Sequence, residues 1–465
     1  MTERAETAVP GRPRRGHTSG RDYTAGSLNR NIWLLAVPMV LEMGLVSLYR
    51  VADMFWVGKL GPDSLAAITI GENVRWALSG LAMGQGIGGL AVVARRVGER
   101  DQEGANHATL QAMLLALGLA SLLSLAGYLL SEDLLRLLGT EPGVMPQALQ
   151  FLHVTFVGLP GFLMVPIVNS LLRGAGEARL ALILRVVGYG VGLLIEPVLI
   201  FGWGPLPALG VAGAALSLVG SQWLGFLGQL GVLLSGRARV RIDLRHLRVD
   251  LPLMARIFRI SLPSTVQMTL RSFSRATLLG IVALYGTYTV AAYGVAARIF
   301  MTVFVPGFGL GNAAATLVGQ NLGAGKPDRA ARSAWLIAGY NLALMLACVA
   351  VIVPLAEPLV AVFDDTPQVV ALGAQALRIF AIGYLGSAVG AVMARALNGA
   401  GDTAPAMFIN LGTLWGVQIP LAWLLSQVAG WGTTGLWVGV SIANVANGLI
   451  FAGWFLRGKW KERKV

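Results

Sequence analysis

The residues of this chain best placed to do chemistry are charged side chains set inside apolar stretches. The acids are Glu42, Asp53, Glu72 and Glu196; the bases are Arg50, Arg75, Arg271, Arg275 and Arg298, with Arg185 and Arg378 nearer the ends of their stretches. A charge at the centre of a bilayer costs at least ~2.5–3.5 kcal/mol, so each of these is expected to face a polar cavity or a partner. Buried carboxyls close to one another can titrate near neutral pH and so carry protons. Guanidinium groups grip carboxylate and phosphate through paired hydrogen bonds. Glu42, Tyr49 and Asp53 fall on one helix face, at steps of seven and four residues. Two readings of that face stay open. Glu42 and Asp53 share a pocket, or Glu42 makes an interhelical hydrogen bond while Asp53 pairs with Arg50 one turn away or sits at the membrane boundary.

Motifs that imitate catalysis do not survive their context. Gly84-Gln-Gly-Ile-Gly-Gly89 satisfies the dinucleotide pattern GxGxxG, but it lies inside a long apolar stretch with no preceding strand. Small residues there are expected to let helices approach closely. Gly323-Ala-Gly-Lys326 is similar to a phosphate loop, yet Pro327 stands where a Ser or Thr should bind Mg²⁺. His17, His107, His153 and His246 lack metal-ligand spacing, and an enzyme acting at the membrane has no nucleophile–base pair to support it. The expectation is a protein that is not an enzyme, with no catalytic residue, no metal and no cofactor.

The elements that carry these residues are membrane spans. Of 465 residues, 55% are hydrophobic and 13% charged, against roughly a quarter charged in soluble domains. Apolar runs of about 20 residues, each long enough to cross a hydrocarbon layer, recur along the chain. They fall near 32–53, 64–94, 109–130, 146–171, 180–201, 209–234, 257–284, 290–320, 334–354, 369–396, 405–426 and 434–456. The two halves repeat at a fixed offset of 225, which is 263 less 38: Pro38 matches Pro263, Gly84 and Gly86 match Gly309 and Gly311, and Arg173-Gly-Ala-Gly-Glu177 matches Asn398-Gly-Ala-Gly-Asp402. The fold class expected is an all-α polytopic membrane protein of twelve transmembrane helices in two pseudo-symmetric six-helix bundles. Residues 31–235 form the first lobe, 236–253 a cytoplasmic linker, 254–457 the second lobe, 1–30 a disordered cytoplasmic tail and 458–465 a basic cytoplasmic tail.

The net charge of +13 is a topology signal, not a sign of nucleic acid. Arg95, Arg96 and Arg100, Arg173 and Arg179, Arg237 to Arg248, and Lys326, Arg329 and Arg332 all fall in alternate connections; those between are neutral or acidic, as in Ser131-Glu-Asp133, with Lys59 and Arg136 as the exceptions. That alternation places both termini in the cytoplasm of a multi-pass plasma-membrane protein, with a weak hold on anionic lipid. Cys348 is the single cysteine and lies in an apolar span, so no disulfide forms within one chain.

Several stretches bring the chain to a family. Leu48-Tyr-Arg-Val-Ala-Asp53, followed by Val57-Gly-Lys-Leu-Gly61 and Leu65-Ala-Ala67, resembles the first helix of the multidrug and toxic compound extrusion (MATE) transporters. Gln320-Asn-Leu-Gly-Ala-Gly-Lys-Pro-Asp328 resembles their loop after helix eight, Arg173-Gly-Ala-Gly-Glu177 the loop after helix four, and Glu196-Pro-Val-Leu-Ile-Phe-Gly202 the end of helix five. The resemblance implies an antiporter, monomeric, that drives small organic solutes outward on a H⁺ or Na⁺ gradient. It puts Asp53 at the family's first-helix Asp and Glu196 where many members carry Asp, so these two, with Glu42, are the expected ion-coupling residues. Pro38 is the expected hinge.

The departures from the family matter as much. A family branch has a helix-seven Glu for cation binding where this chain has Arg271, and the helix-ten acid position is Ser387. A cationic Arg50 beside Asp53 would repel a metal ion, so H⁺ is expected over Na⁺. Arg50 and Arg275 are one repeat apart, and pseudo-symmetry would set them on opposite walls of a cavity lined also by Tyr49, Glu72 and Arg271. Such a cavity suits anionic or zwitterionic solutes, unless the arginines merely neutralise Asp53, Glu72 or Glu196. The competing reading is a lipid-linked oligosaccharide flippase of the same superfamily, which a cationic cavity would also suit.

Overall fold

The computed structural model describes residues 21–242, 248–463 and 465. Twelve long helices carry it: α1 Leu28–Val57, α2 Pro62–Gly98, α3 Gln102–Leu129, α4 Met145–Gly174, α5 Ala178–Phe201 and α6 Gly210–Leu234, then α7 Leu251–Ala283, α8 Thr287–Gly323, α9 Pro327–Ile352, α10 Pro367–Gly399, α11 Thr403–Val428 and α12 Gly432–Leu456. Each half also repeats a short helix after its third long one, Ser131–Leu137 and Ala356–Ala361. Eleven of the twelve are apolar enough to span by composition alone. Helix α7 is the exception, because Arg256, Arg259, Arg271 and Arg275 interrupt it.

The two halves exchange helices as pseudo-symmetry requires: α1 packs on α8, and α7 on α2. Glycines make both crossings possible. A Cβ on Gly84 would stand 2.6 Å from the Thr265 backbone nitrogen, and one on Gly309 would stand 2.7 Å from Val40 Cα. The pattern that imitates a dinucleotide loop is thus a close-approach surface between α2 and α7.

Contact between the lobes concentrates on the side that carries both termini. There Ile32, Leu35, Ala36 and Met39 of α1 share one core with Leu310, Ala313 and Leu317 of α8. Gln320 Nε2 donates to the Gly174 carbonyl at 2.8 Å, and Thr316 Oγ1 to that of Arg173 at 3.1 Å. On the opposite side each lobe has a separate core, Val57, Ile68, Phe151 and Ile200 in the first and Phe300, Phe380 and Trp437 in the second. The molecule is closed at the terminal side, and its lobes part towards the other.

Three expected boundaries change. Of the tail expected over 1–30, residues 1–20 lie outside the described residues, but Tyr23 is buried and α1 already begins at Leu28. The segment before it is tied to both lobes: Arg239 donates to the Arg21 carbonyl (2.9 Å), Lys326 to that of Thr24 (2.8 Å) and Arg329 to that of Gly26 (3.0 Å). The basic tail over 458–465 is anchored as well, with Trp460 buried against Phe455 at 4.4 Å and Lys461 paired to Asp328 at 2.9 Å. In the linker, Val240 is fully buried and α7 starts at Leu251, while residues 243–247 lie outside the described residues.

Candidate functional site

Asp53 on α1 and Glu196 on α5 meet in the outer half of the first lobe. Glu196 is 1% exposed, its one charged neighbour is Asp53, and neither of its carboxyl oxygens receives a hydrogen bond from a described residue. A carboxyl desolvated without donors is costly when ionised; a proton shared with the facing carboxyl supplies the missing donor. Tyr49 closes the pocket by stacking on Tyr189, ring centroids 4.3 Å apart. Gly192 allows the approach: a Cβ there would come within 2.9 Å of Ser221 Cβ and 3.4 Å of Tyr49 Cε2. The sequence-level alternative in which Asp53 pairs with Arg50 is not what forms. Arg50 lies instead over the Trp76 ring, 4.0 Å from its centroid.

Glu42 does not join this pocket. It is fully buried and receives hydrogen bonds from Arg173 (3.1 and 3.2 Å) and Arg185 (3.4 Å), an ion cluster that ties α1 to α4 and α5. The interhelical reading of Glu42 therefore holds, because two guanidiniums hold it about three turns below Asp53. Glu72 is likewise occupied, by the guanidinium of Arg75 one turn along α2. Arg75 also lies over Phe162 at 4.8 Å.

The open space is elsewhere. A cavity of about 440 Å³ lies within the second lobe, among α7, α8, α10, α11 and α12. Of the expected cavity residues, Arg271 and Arg275 line it; Tyr49, Arg50 and Glu72 do not. The correction has a packing cause, since the first lobe fills its corresponding space with its own rings and ion pairs. One wall is aromatic: Phe300 stacks on Tyr384 at 3.9 Å, with Phe380, Tyr293 and Phe304 around them. The facing wall is amide-rich, with Asn410, Asn444, Asn447 and Gln418. Helix α11 presents Thr413 and Gln418 from a π-helical stretch, Gly412–Gln418, whose wider turn re-aims side chains that a regular helix would hide.

Among the described residues, no Asp or Glu lines this cavity. Among the described residues, Arg271 reaches the Asn410 Oδ1, at 3.4 Å, and its charged neighbours, Arg275 and Arg395, are bases. A further base escaped the sequence reading: Arg395, near the inner end of α10, has Arg173 and Arg271 as charged neighbours. Position alone could have found it, since it falls within the tenth apolar run, but its nearness to the end of that run made it look like a connection residue.

On the terminal face, hydrogen bonds from the Thr24 hydroxyl and amide hold the Asp22 carboxyl below the usual carboxylate range, and it pairs with Arg100 at 3.5 Å. Burial pushes the Asp402 carboxyl up, against the pull of Arg463 3.8 Å away. These contacts belong to the closure between lobes and termini.

A family model, MatE, matches residues 38–198 and again residues 263–424, each match opening on one of the paired prolines. Among relatives, a probable multidrug resistance protein, YoeA, of Bacillus subtilis is 24% identical over 443 residues, 94% of this chain and 96% of that one. A FAD transporter of Shewanella oneidensis is 26% identical over 426 residues, 91% and 93% of the two chains. A solved MOP superfamily transporter from Pyrococcus furiosus, whose binding pocket is described as of reverse polarity, superposes with a TM-score of 0.86 at 26% identity, over 95% of this chain and 98% of that one.

Proposed function

The chain belongs to the MatE family, a multi-pass membrane transporter and not an enzyme, and from that premise we propose that it exports organic solutes, drugs among them, in exchange for protons. The observation that carries the proposal is a division of charge. Two facing acids, Asp53 and Glu196, lie in the first lobe, and two arginines without an acid, Arg271 and Arg275, line the cavity of the second.

The first pair is built to exchange a proton. Its oxygens find no donor when both groups are ionised, so proton binding and release there change the local energy strongly. Arg75 is a charged neighbour of Asp53 and acts against a metal ion at the same place. That supports H⁺ over Na⁺. The basic connections put the closed, terminal side in the cytoplasm; the described state then opens outward, the state that takes up external protons and lets solute go. Protonation stabilises one of two lobe arrangements by the difference in its proton affinity between them. Pro38 removes a hydrogen bond within the part of α1 that packs on the second lobe, ahead of the part that carries Asp53, and serves as the hinge. Glu42 acts as a fixed tie, since it is already neutralised twice.

The solute is anionic or zwitterionic, because a desolvated guanidinium without an acid is stabilised by a bound anion. The FAD transporter among the relatives carries a phosphate-bearing solute, which supports the same reading. Both functional groups of residues lie within one chain, which suits a monomer in its lipid. The test is transport into proteoliposomes under an imposed pH gradient, a Na⁺ gradient, or neither. Export that follows the pH gradient alone is expected; equal movement without any gradient, or movement driven by Na⁺ alone, overturns the proton scheme.

A further inference from the structure

Resting on the reading that solute occupies the second-lobe cavity, we propose that the solute is an aromatic anion, and not a zwitterion, whose ring carries a hydrogen-bond donor. Three observations on that cavity lead to this class. Its two charged linings are both guanidiniums, Arg271 and Arg275. A zwitterion would bring an ammonium with no carboxylate to meet it, and the arginines would repel it. A carboxylate or phosphate instead offsets like charges that stand side by side on one face of α7 with no acid beside them.

The second observation is the aromatic wall. Tyr293, Phe300, Phe380 and Tyr384 form a continuous patch, with Tyr293 stacked on Trp437 behind it (interplanar angle 1°) and Phe300 on Tyr384. Rings held rigidly from behind offer a surface on which another ring stacks at little entropic cost. The cavity volume of about 440 Å³ lies in the range of sites that enclose a drug-sized molecule.

The third is an acceptor without a donor. Gln418 lines the cavity, and its Oε1 is buried with no hydrogen bond from a described residue. Asn447, beside it, spends its amide nitrogen on Thr413 Oγ1 at 2.7 Å. An N–H or O–H on the solute ring completes Gln418, and a buried acceptor left unmatched discriminates against rings that lack one. Anion at Arg271 and Arg275, ring on the aromatic patch, donor at Gln418: the three contacts define one class of molecule.

A series on one ring tests this with the full chain in nanodiscs by titration calorimetry. Indole-3-acetate and indoxyl phosphate provide the two anionic groups, tryptophan the zwitterion, tryptamine the cation, indole-3-acetamide the neutral form, 1-naphthaleneacetate the ring without N–H, and acetate or inorganic phosphate the anion without a ring. Both indole anions are expected to bind at least about tenfold more tightly than every other member, the difference expected for a desolvated charge-assisted contact. The two anions rank against each other by whether carboxylate or phosphate fits better. Arg275→Gln should remove that preference, and Arg275→Lys should keep part of it. Gln418→Leu should erase the advantage of indole over naphthalene.

Tryptamine or tryptophan binding as tightly as indole-3-acetate, free acetate competing as well as the ring acids, or no indole binding at all would each overturn the proposal. The series in the native protein decides even where a variant fails to fold. Failure here is distinct from failure of the export reading: gradient-driven export of tryptamine alone sinks the anion class and spares the exporter, whereas selective binding of anions without gradient-driven export does the reverse.

Discussion

The two lobes share one backbone plan and differ in what fills it. At the constant offset, Tyr49 in the first lobe corresponds to Ser274 in the second, Glu72 to Ala297 and Phe162 to Ser387, and all three of the smaller residues line the second-lobe cavity. The traffic in charge runs the other way: Asp53 corresponds to Leu278 and Glu42 to Gln267, while Val46 corresponds to Arg271. The first lobe is thus packed and acidic where the second is hollow and basic. Duplication supplied a symmetric frame, and side-chain exchange made its halves unlike; under the proposed function, proton handling falls to one copy and solute handling to the other.

That contrast can be attacked where it is strongest. Asp53→Asn should reduce pH-driven export in proteoliposomes to the leak seen without a gradient, while solute still binds to the purified variant; wild-type export by Asp53→Asn ends the assignment of coupling to the first lobe. Glu42→Gln leaves Arg173 and Arg185 without their shared acid and should destabilise the protein by ~3–5 kcal/mol, visible as a fall in thermal unfolding temperature in detergent. The corresponding Gln267→Ala in the second lobe should cost no more than about 1 kcal/mol by the same measurement. Ser387→Phe restores the first lobe's ring in the second and should weaken solute binding by tenfold or more through lost volume, on the scale of an overpacked site, with the unfolding temperature unchanged. Smallest of all, Arg50→Gln loses a cation–π contact worth about 0.5–1 kcal/mol and should not alter which solutes are exported. A selectivity change in Arg50→Gln equal to that in Arg275→Gln would restore the symmetric cavity expected from sequence.

Much of the architecture was legible because its signal is coarse and repeated. Twelve apolar runs, a fixed offset and alternating basic connections are properties of many residues at once, and bilayer physics leaves helices as the way to satisfy the backbone. The neighbourhood of Asp53 and Glu196 was also legible, through the resemblance of their motifs. The pairing of charges was not. Glu42, Asp53 and Tyr49 share a helix face, yet Glu42 goes to Arg173 and Arg185, two residues read as connection and span-end bases. Partner choice depends on how α1 crosses α4 and α5, a tertiary fact without periodicity. The same limit applies to Arg50 and Arg275: equivalent positions in the repeat, they diverge because Trp76 captures one, while its counterpart Met301 lines the cavity beside the other. The anchored segments around Tyr23 and Trp460 escaped notice because one buried aromatic in a basic stretch barely shifts its composition.

Helix α1 is rooted in one half of the molecule and bears its acid in the other, and α7 repeats the trespass in reverse. Neither half can therefore tilt as a free body. Each carries away the foot of a rod whose tip belongs to its twin; in the proposed scheme, a titration at Asp53 is passed to the second half through the foot of that rod, bending at Pro38.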